Sequence, residues 1–116
     1  LDRLQGYFFT LGDNTNLSGT HGQFGSCYDP SWGRHLQRTF PSIGNHDYIT
    51  PDAEGYFDYF GAQAFNRGKG YYSYTAGQWH VIVLNSNCTN VGGCDEGSEE
   101  YSWLKDDLSM NKKLWI

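Results

Sequence analysis

The chain alternates between short apolar runs and glycine-punctuated polar stretches, and the runs place its elements. Tyr7-Phe8-Phe9-Thr10-Leu11 barely alternates, which predicts a strand buried on both faces. Phe40 to Ile43 is a second apolar approach and ends at Gly44. Val81-Ile82-Val83-Leu84 predicts a central strand, entered from Trp79 and paired as a hairpin with Tyr71 to Thr75 around Ala76-Gly77. Leu114-Trp115-Ile116 predicts the start of one more strand.

Helix signals fall between these runs. Asp29-Pro30 reads as an N-cap followed by a first helical position, and Trp32, Leu36 and Phe40 give that helix one apolar side. Thr50-Pro51 is a similar start, followed by the ring cluster Tyr56, Phe57 and Phe60; Gly61 closes the helix in the left-handed conformation. Ser98 caps the clearest helix, with Glu99 and Glu100 facing the positive end of its dipole and Tyr101, Leu104 and Leu108 as its buried stripe. Leu1 to Gly6 reads as a helix end or a loop, and Asn14 to Tyr28, with Gly19, Gly22 and Gly25, as a surface loop. Asn66 to Gly70 is a turn that leaves Arg67 and Lys69 solvated. Asp13 to Asn45 is long enough for a crossover between parallel strands, which needs a dozen residues or more. The pattern predicts an α/β fold, a mixed open sheet with flanking short helices.

Composition narrows the partners. The 116 residues make at most one small domain, and a net charge of −5 argues against a nucleic-acid backbone as partner. No run approaches the length of a membrane span, so no membrane partner is expected. Cys88 and Cys94 bracket a five-residue loop, Thr89 to Gly93. A disulfide there stabilises by about 2 kcal/mol, whereas a two-cysteine metal clip needs further Cys or His nearby in sequence, and none is present. The disulfide implies an oxidising compartment, secreted or periplasmic, and leaves Cys27 as the odd thiol.

The candidate chemistry sits where two apolar runs stop at a glycine. Gly12 is followed by Asp13-Asn14, and Gly44 by Asn45-His46-Asp47, so a carboxylate and then an amide, an imidazole and a second carboxylate are offered at strand mouths. Gly-Asp-Asn alone is ordinary turn chemistry, and His46-Asp47 alone could be a satisfied structural pair. His21 and His35 have no partner at ligand spacing and read as solvated or structural; His80, opening a strand, reads as packed or edge-exposed.

Gly12-Asp13 with Gly44-Asn45-His46-Asp47 downstream resembles the calcineurin-like metallophosphoesterase superfamily, and Ser31-Trp32-Gly33-Arg34, Tyr71 to Tyr74 and Trp79-His80-Val81 resemble its secreted, purple-acid-phosphatase-like branch. The resemblance implies a partial calcineurin-like sandwich and a metal-dependent hydrolase of small-molecule phosphoesters. It implies two metal ions, Fe, Zn or Mn, about 3.5–4 Å apart, that activate water and clamp the transferring oxygens. It makes Asp13 the bridging ligand and Asn45 a ligand to one metal. It places His46 on the phosphoryl oxygen or leaving group, with Asp47 hydrogen-bonded to the imidazole. Two features depart from the family. Asn16 stands where the purple branch has a tyrosine, and the family's Asp-x-His, later histidine and Gly-His-x-His blocks have no counterpart in these residues. The expectation is therefore a partial catalytic domain over residues 1–116, inactive or nearly so alone. The rival readings are a non-catalytic extracellular binding module, for which ring-rich and glycine-rich composition suits carbohydrate contact, and a degenerate phosphoesterase scaffold.

Overall fold

The computed structural model describes residues 3–15, 17–112 and 114–116. Strand β1 (Phe8–Phe9) pairs in parallel with β2 (Thr39–Phe40), in the register Phe8↔Thr39 and Phe9↔Phe40. The expected crossover between parallel strands is thus present. The Thr10 amide continues the ladder by donating to the Phe40 carbonyl at 3.2 Å, and the Ser42 amide donates to Thr10 Oγ1 at 2.9 Å.

The crossover is more helical than its glycines suggest. Thr20 and Gln23 form a reciprocal capping box, which starts α1 (His21–Gln23) and leads into one wide π turn over Phe24–Tyr28. The surface loop expected over Asn14 to Tyr28 therefore delivers two core rings, Phe24 and Tyr28. Asp29-Pro30 does not open a helix; a 3-10 segment runs over Trp32–Arg38. Of the apolar side expected there, Leu36 packs on the core, Trp32 stays 48% exposed, and Phe40 belongs to β2.

After β2 the chain makes 3-10 turns at Asp47–Ile49 and Pro51–Ala53, then α2 (Glu54–Phe60). Asp52 and Ala53 both take positive φ at this kink, so α2 begins at Glu54 and not at Pro51. Tyr56, Phe57 and Phe60 are buried as expected and join Phe24, Tyr28, Ile43, Ala53 and Ala64 in the core. Each such ring removed from water contributes roughly 2 kcal/mol. Gly61 closes α2 at φ +50° and ψ −120°, outside the left-handed helical region expected of it, and a 3-10 turn, Gly61–Ala64, follows.

A second sheet, in the order β3-β4-β5, contains the hairpin β3 (Tyr72–Ala76) and β4 (Trp79–Val83) and the parallel neighbour β5 (Leu114–Trp115). β4 is central, as its apolar run predicts. The hairpin loop is Gly77-Gln78, one residue later than Ala76-Gly77, because Ala76 pairs with Trp79. The two sheets meet where Phe40 stacks on Tyr74, with centroids 3.7 Å apart, and where the Tyr72 hydroxyl donates to the Pro41 carbonyl at 2.8 Å.

The main departure from expectation is β1. Tyr7, Phe9 and Leu11 are exposed, Leu11 at 88%, and line an open apolar cleft of about 460 Å³ together with Tyr74, Trp79 and Ile116. Only Phe8 turns inward, against Trp32 and His35 and beneath the Arg38 guanidinium. The strand is covered on one face, not two.

Helix α3 (Glu99–Met110) starts at Ser98, whose hydroxyl accepts from the Tyr101 amide at 3.2 Å, as its sequence predicts. Its buried face is different. Glu100 and Asp107 are buried and Tyr101 is 38% exposed, because the two acids find partners: Glu100 accepts from the Asn85 amide at 2.7 Å, and Asp107 holds Ser73 at 2.6 Å and His80 at 2.5 Å. His80 is packed, as expected. Cys88 and Cys94 form the disulfide, and Cys27 is free and exposed. Arg67 and Lys69 are not simply solvated: Arg67 pairs with Asp58 at 2.5 Å and Lys69 with Glu99. His21 also reaches Asp58, at 2.7 Å, while His35 is buried against Phe8 and bonded to Arg38, so neither belongs to the candidate site. Among the described residues no helix is long and apolar enough to cross a membrane.

Candidate functional site

Each of the two parallel strands ends in a tight glycine turn, and the turns press on each other. Gly12 has φ +94°, and a Cβ on it would lie 3.0 Å from the Gly44 Cα. A Cβ on Gly44 would lie 2.1 Å from Asp13 Oδ1 and 2.2 Å from the Asp13 amide nitrogen. Only glycine at both positions permits this approach. The result is direct contact between the two motifs: Asp13 Oδ1 accepts from the His46 amide at 3.0 Å. Asp13 itself sits at φ 49°, a conformation that non-glycine residues seldom adopt and that carboxylate and amide side chains tolerate best.

His46 is held from the other side. Its Nδ1 lies 2.7 Å from the Leu17 carbonyl. A carbonyl only accepts, so Nδ1 carries the proton and Nε2 is the nitrogen left for a ligand. Leu17 takes φ 84° to present that carbonyl. This partner differs from the one the family resemblance implies.

Asp47 does not hold the imidazole. It is fully buried, and its Oδ2 accepts from the Gly44 amide at 2.9 Å, the Asn14 side-chain amide at 3.1 Å and the Asn14 backbone amide at 3.5 Å. Asn14 Nδ2 also donates to the Ser42 carbonyl at 2.7 Å. Asp47 therefore clasps the loop after β1 to the turn after β2. Burial pushes its carboxyl above the usual range, against the opposing pull of the Gly44 and Asn14 donors. Its Oδ1 accepts no hydrogen bond from a described residue.

Asn45, expected as a ligand, is exposed; its backbone carbonyl accepts from the Tyr48 amide at 3.2 Å. The turn is anchored from a further strand as well. Asn85, just past β4 and fully buried, donates through Nδ2 to the Tyr48 hydroxyl at 2.9 Å and to the Lys69 carbonyl at 2.8 Å, and its Oδ1 accepts from both Asn87 nitrogens. Nothing local in the sequence flags Asn85; its role comes from contacts 16 and 37 residues away.

The donors at hand are hard oxygens, Asp13 and Asn45, beside one imidazole. Among the described residues no three His, Cys, Asp or Glu side chains are grouped to hold a metal ion. The residues present thus do not by themselves fit the expected pair of Fe, Zn or Mn ions. Asn16, standing where the resemblance expects a tyrosine, lies outside the described residues.

The chain is similar to part of a purple acid phosphatase. It is 30% identical over 126 aligned positions to purple acid phosphatase 13 of Arabidopsis thaliana, a match that takes in 85% of this chain. The chain spans 22% of the length of that relative. No protein-family model matches the sequence, and no solved structure matches it significantly. The similarity supports a metallophosphoesterase-like relationship, on a small fold of mixed helix and strand.

Proposed function

We propose that this chain carries part of the catalytic centre of a metal-dependent phosphoester hydrolase, calcineurin-like in fold and acid-phosphatase-like in reaction. One observation supports the reading above the others: the Asp13 carboxylate meets the His46 amide at 3.0 Å, which joins the two motifs at the mouths of adjacent parallel strands. Ligands bind in such crevices in open α/β sheets. In this reading Asp13 and Asn45 are two of the metal donors, and the others lie outside the described residues. His46, with Nδ1 committed to Leu17, offers Nε2 to the phosphoryl or leaving-group oxygen. Asp47 braces the two loops and does not touch the imidazole. The 116 residues alone are inactive or nearly so, since two donors do not hold a metal pair. The Cys88–Cys94 disulfide fits an oxidising, extracellular or periplasmic setting.

The test is turnover of an aryl phosphate by the intact protein that carries this chain. His46→Asn is expected to lower kcat at least a hundredfold, the usual scale for a lost proton-transfer group, with an unchanged urea midpoint. Undiminished turnover would remove the reading.

A further inference from the structure

Asn85 is fixed at both of its ends, and the two ends belong to different parts of the fold. Its Oδ1 accepts from the backbone and side-chain nitrogens of Asn87, at 3.1 Å and 2.9 Å, and Asn87 stands next to Cys88. Its carbonyl lies 3.5 Å from the Cys94 sulfur. Its Nδ2 serves the Tyr48 hydroxyl at 2.9 Å and the Lys69 carbonyl at 2.8 Å. One fully buried side chain thus connects the Cys88–Cys94 loop to the turn that carries His46. The seat is close-packed: a Cβ on Gly70 would lie 3.0 Å from Asn85 Nδ2 and 2.8 Å from Ile43 Cγ2. Ile43 directly precedes Gly44 and Tyr48 directly follows Asp47, so the packing around Asn85 reaches both ends of the turn at residues 44–47.

The far end of this connection depends on the disulfide. Cys88–Asn90 is a single 3-10 turn, and the Gly93 amide donates to the Cys88 carbonyl at 2.8 Å. Both cysteines are half-buried and border an open pocket of about 240 Å³, with Leu84, Tyr101 and Leu104 as apolar walls, so a reductant reaches the bond. A disulfide sulfur carries no proton, so Cys94 only touches its neighbours while the bond is closed. Opening gives it a proton to donate, and the acceptors beside it are the Asn85 carbonyl and Glu100 Oε2, the latter 3.8 Å away. Glu100 also accepts from the Asn85 amide at 2.7 Å, so the new thiol competes for the groups that fix the Asn85 backbone. A short loop gives a disulfide its smallest stabilising effect, so the fold outlasts the opening and the change stays local.

We propose that the Cys88–Cys94 bond is a redox switch on the His46 turn: closed, it holds Asn85 and through the Asn85–Tyr48 bond seats the turn; open, it frees both. The reductant is a dithiol. One of its thiolates attacks a sulfur of the bridge and the S–S bond breaks. Its second thiol resolves the mixed disulfide, and the reductant leaves as a cyclic disulfide after passing two electrons and two protons to Cys88 and Cys94. That the seated turn belongs to a hydrolase rests on the phosphoesterase reading; turnover then stays slow until the chain is oxidised.

Hydrogen exchange on the intact protein, before and after dithiothreitol, tests the switch. The amides of Gly44, His46, Tyr48 and Ile49 are all hydrogen-bonded in the seated turn. Their exchange should quicken about tenfold on reduction, the scale of one hydrogen bond, and slow again when oxidised glutathione restores the bridge, while α2 is unchanged. The double variant Cys88→Ser with Cys94→Ser should exchange at the reduced rate with or without dithiothreitol, which separates this bond from any other disulfide. Tyr48→Phe removes only the hydroxyl and should exchange fast in both states. Equal acceleration in α2, no acceleration in the turn, or a full response in Tyr48→Phe would overturn the switch. Turnover of an aryl phosphate without reductant then separates the two readings, because kcat of the double variant should be about tenfold below that of the parent. Equal kcat in parent and double variant defeats the switch and leaves the phosphoesterase reading standing. A turn that responds in a protein with no turnover defeats the phosphoesterase reading alone.

Discussion

The carboxylate of Asp47 accepts a hydrogen bond from the side-chain amide of Asn14 at 3.1 Å, across 33 residues of chain. With the Gly44 amide on the same oxygen, this bond sets the distance between the two loops that carry Asp13 and His46. Truncation to Asp47→Ala leaves these donors buried without an acceptor and should cost about 2–4 kcal/mol in urea unfolding. Asp47→Asn keeps one accepting oxygen and removes a desolvated charge, so its midpoint should lie within about 1 kcal/mol of the parent.

The same pair predicts a pH dependence of known sign. The carboxyl of Asp47 is raised in the folded chain by burial. The folded state therefore binds the proton more tightly than the unfolded state does. Its contribution favours folding below the ordinary carboxylate range and is lost as the pH rises through the elevated value. Urea midpoints measured from pH 4 to pH 7 should contain this falling component, and Asp47→Asn should remove it. An identical profile in the variant would show that Asp47 does not titrate differently on folding.

Gly44→Ala should separate the two loops. The new methyl would meet backbone and carboxylate atoms of Asp13 and not a flexible side-chain tip. Overpacking of this kind costs about 1–3 kcal/mol. It should also break the Asp13–His46 contact, which an upfield shift and faster exchange of the His46 amide would report.

How much of this was legible in the sequence depends on the range over which each feature is decided. The glycine-ended runs, the hairpin, the Ser98 cap and the disulfide are local, the parallel crossover follows from the spacing of two such runs, and the chain forms each of them. Tyr7 to Leu11 departs from its expected burial because an apolar run reports what its residues prefer, not whether anything covers them. The α3 stripe differs because Glu100 and Asp107 count as solvent-facing in any periodicity argument, yet Asn85, Ser73 and His80 give them partners. The Thr20–Gln23 capping box is equally local, but the glycines around it point to a loop. Within the candidate site, the meeting of Asp13 with the His46 loop follows from strand order, whereas the choice of Leu17 and not Asp47 as the imidazole's partner does not. That choice depends on Leu17 adopting φ 84°, which its residue type disfavours.

The buried set Ser73, Asp107 and His80 ties α3 to the β3–β4 hairpin. Asp107→Leu alone should cost about 3 kcal/mol, since it strands a buried imidazole and a hydroxyl. The double variant Asp107→Leu with His80→Phe should recover at least about 1 kcal/mol of that loss. Strict additivity in this cycle would mean that the two side chains are not coupled.

Reduction of the Cys88–Cys94 bond should lower stability by about 2 kcal/mol, the loop-closure value for its short span. Iodoacetamide added to the native, unreduced protein should label one thiol, Cys27, and mass spectrometry after digestion checks the assignment.

The cleft between the sheets governs how these 116 residues behave when handled alone. Leu11, Phe9, Tyr7 and Ile116 are each more than half exposed around it, and a contiguous apolar surface of this kind finds a partner in any concentrated solution. Warming is expected to bring clumping before melting, so that a thermal midpoint tracks protein concentration and heating rate instead of the strength of the fold.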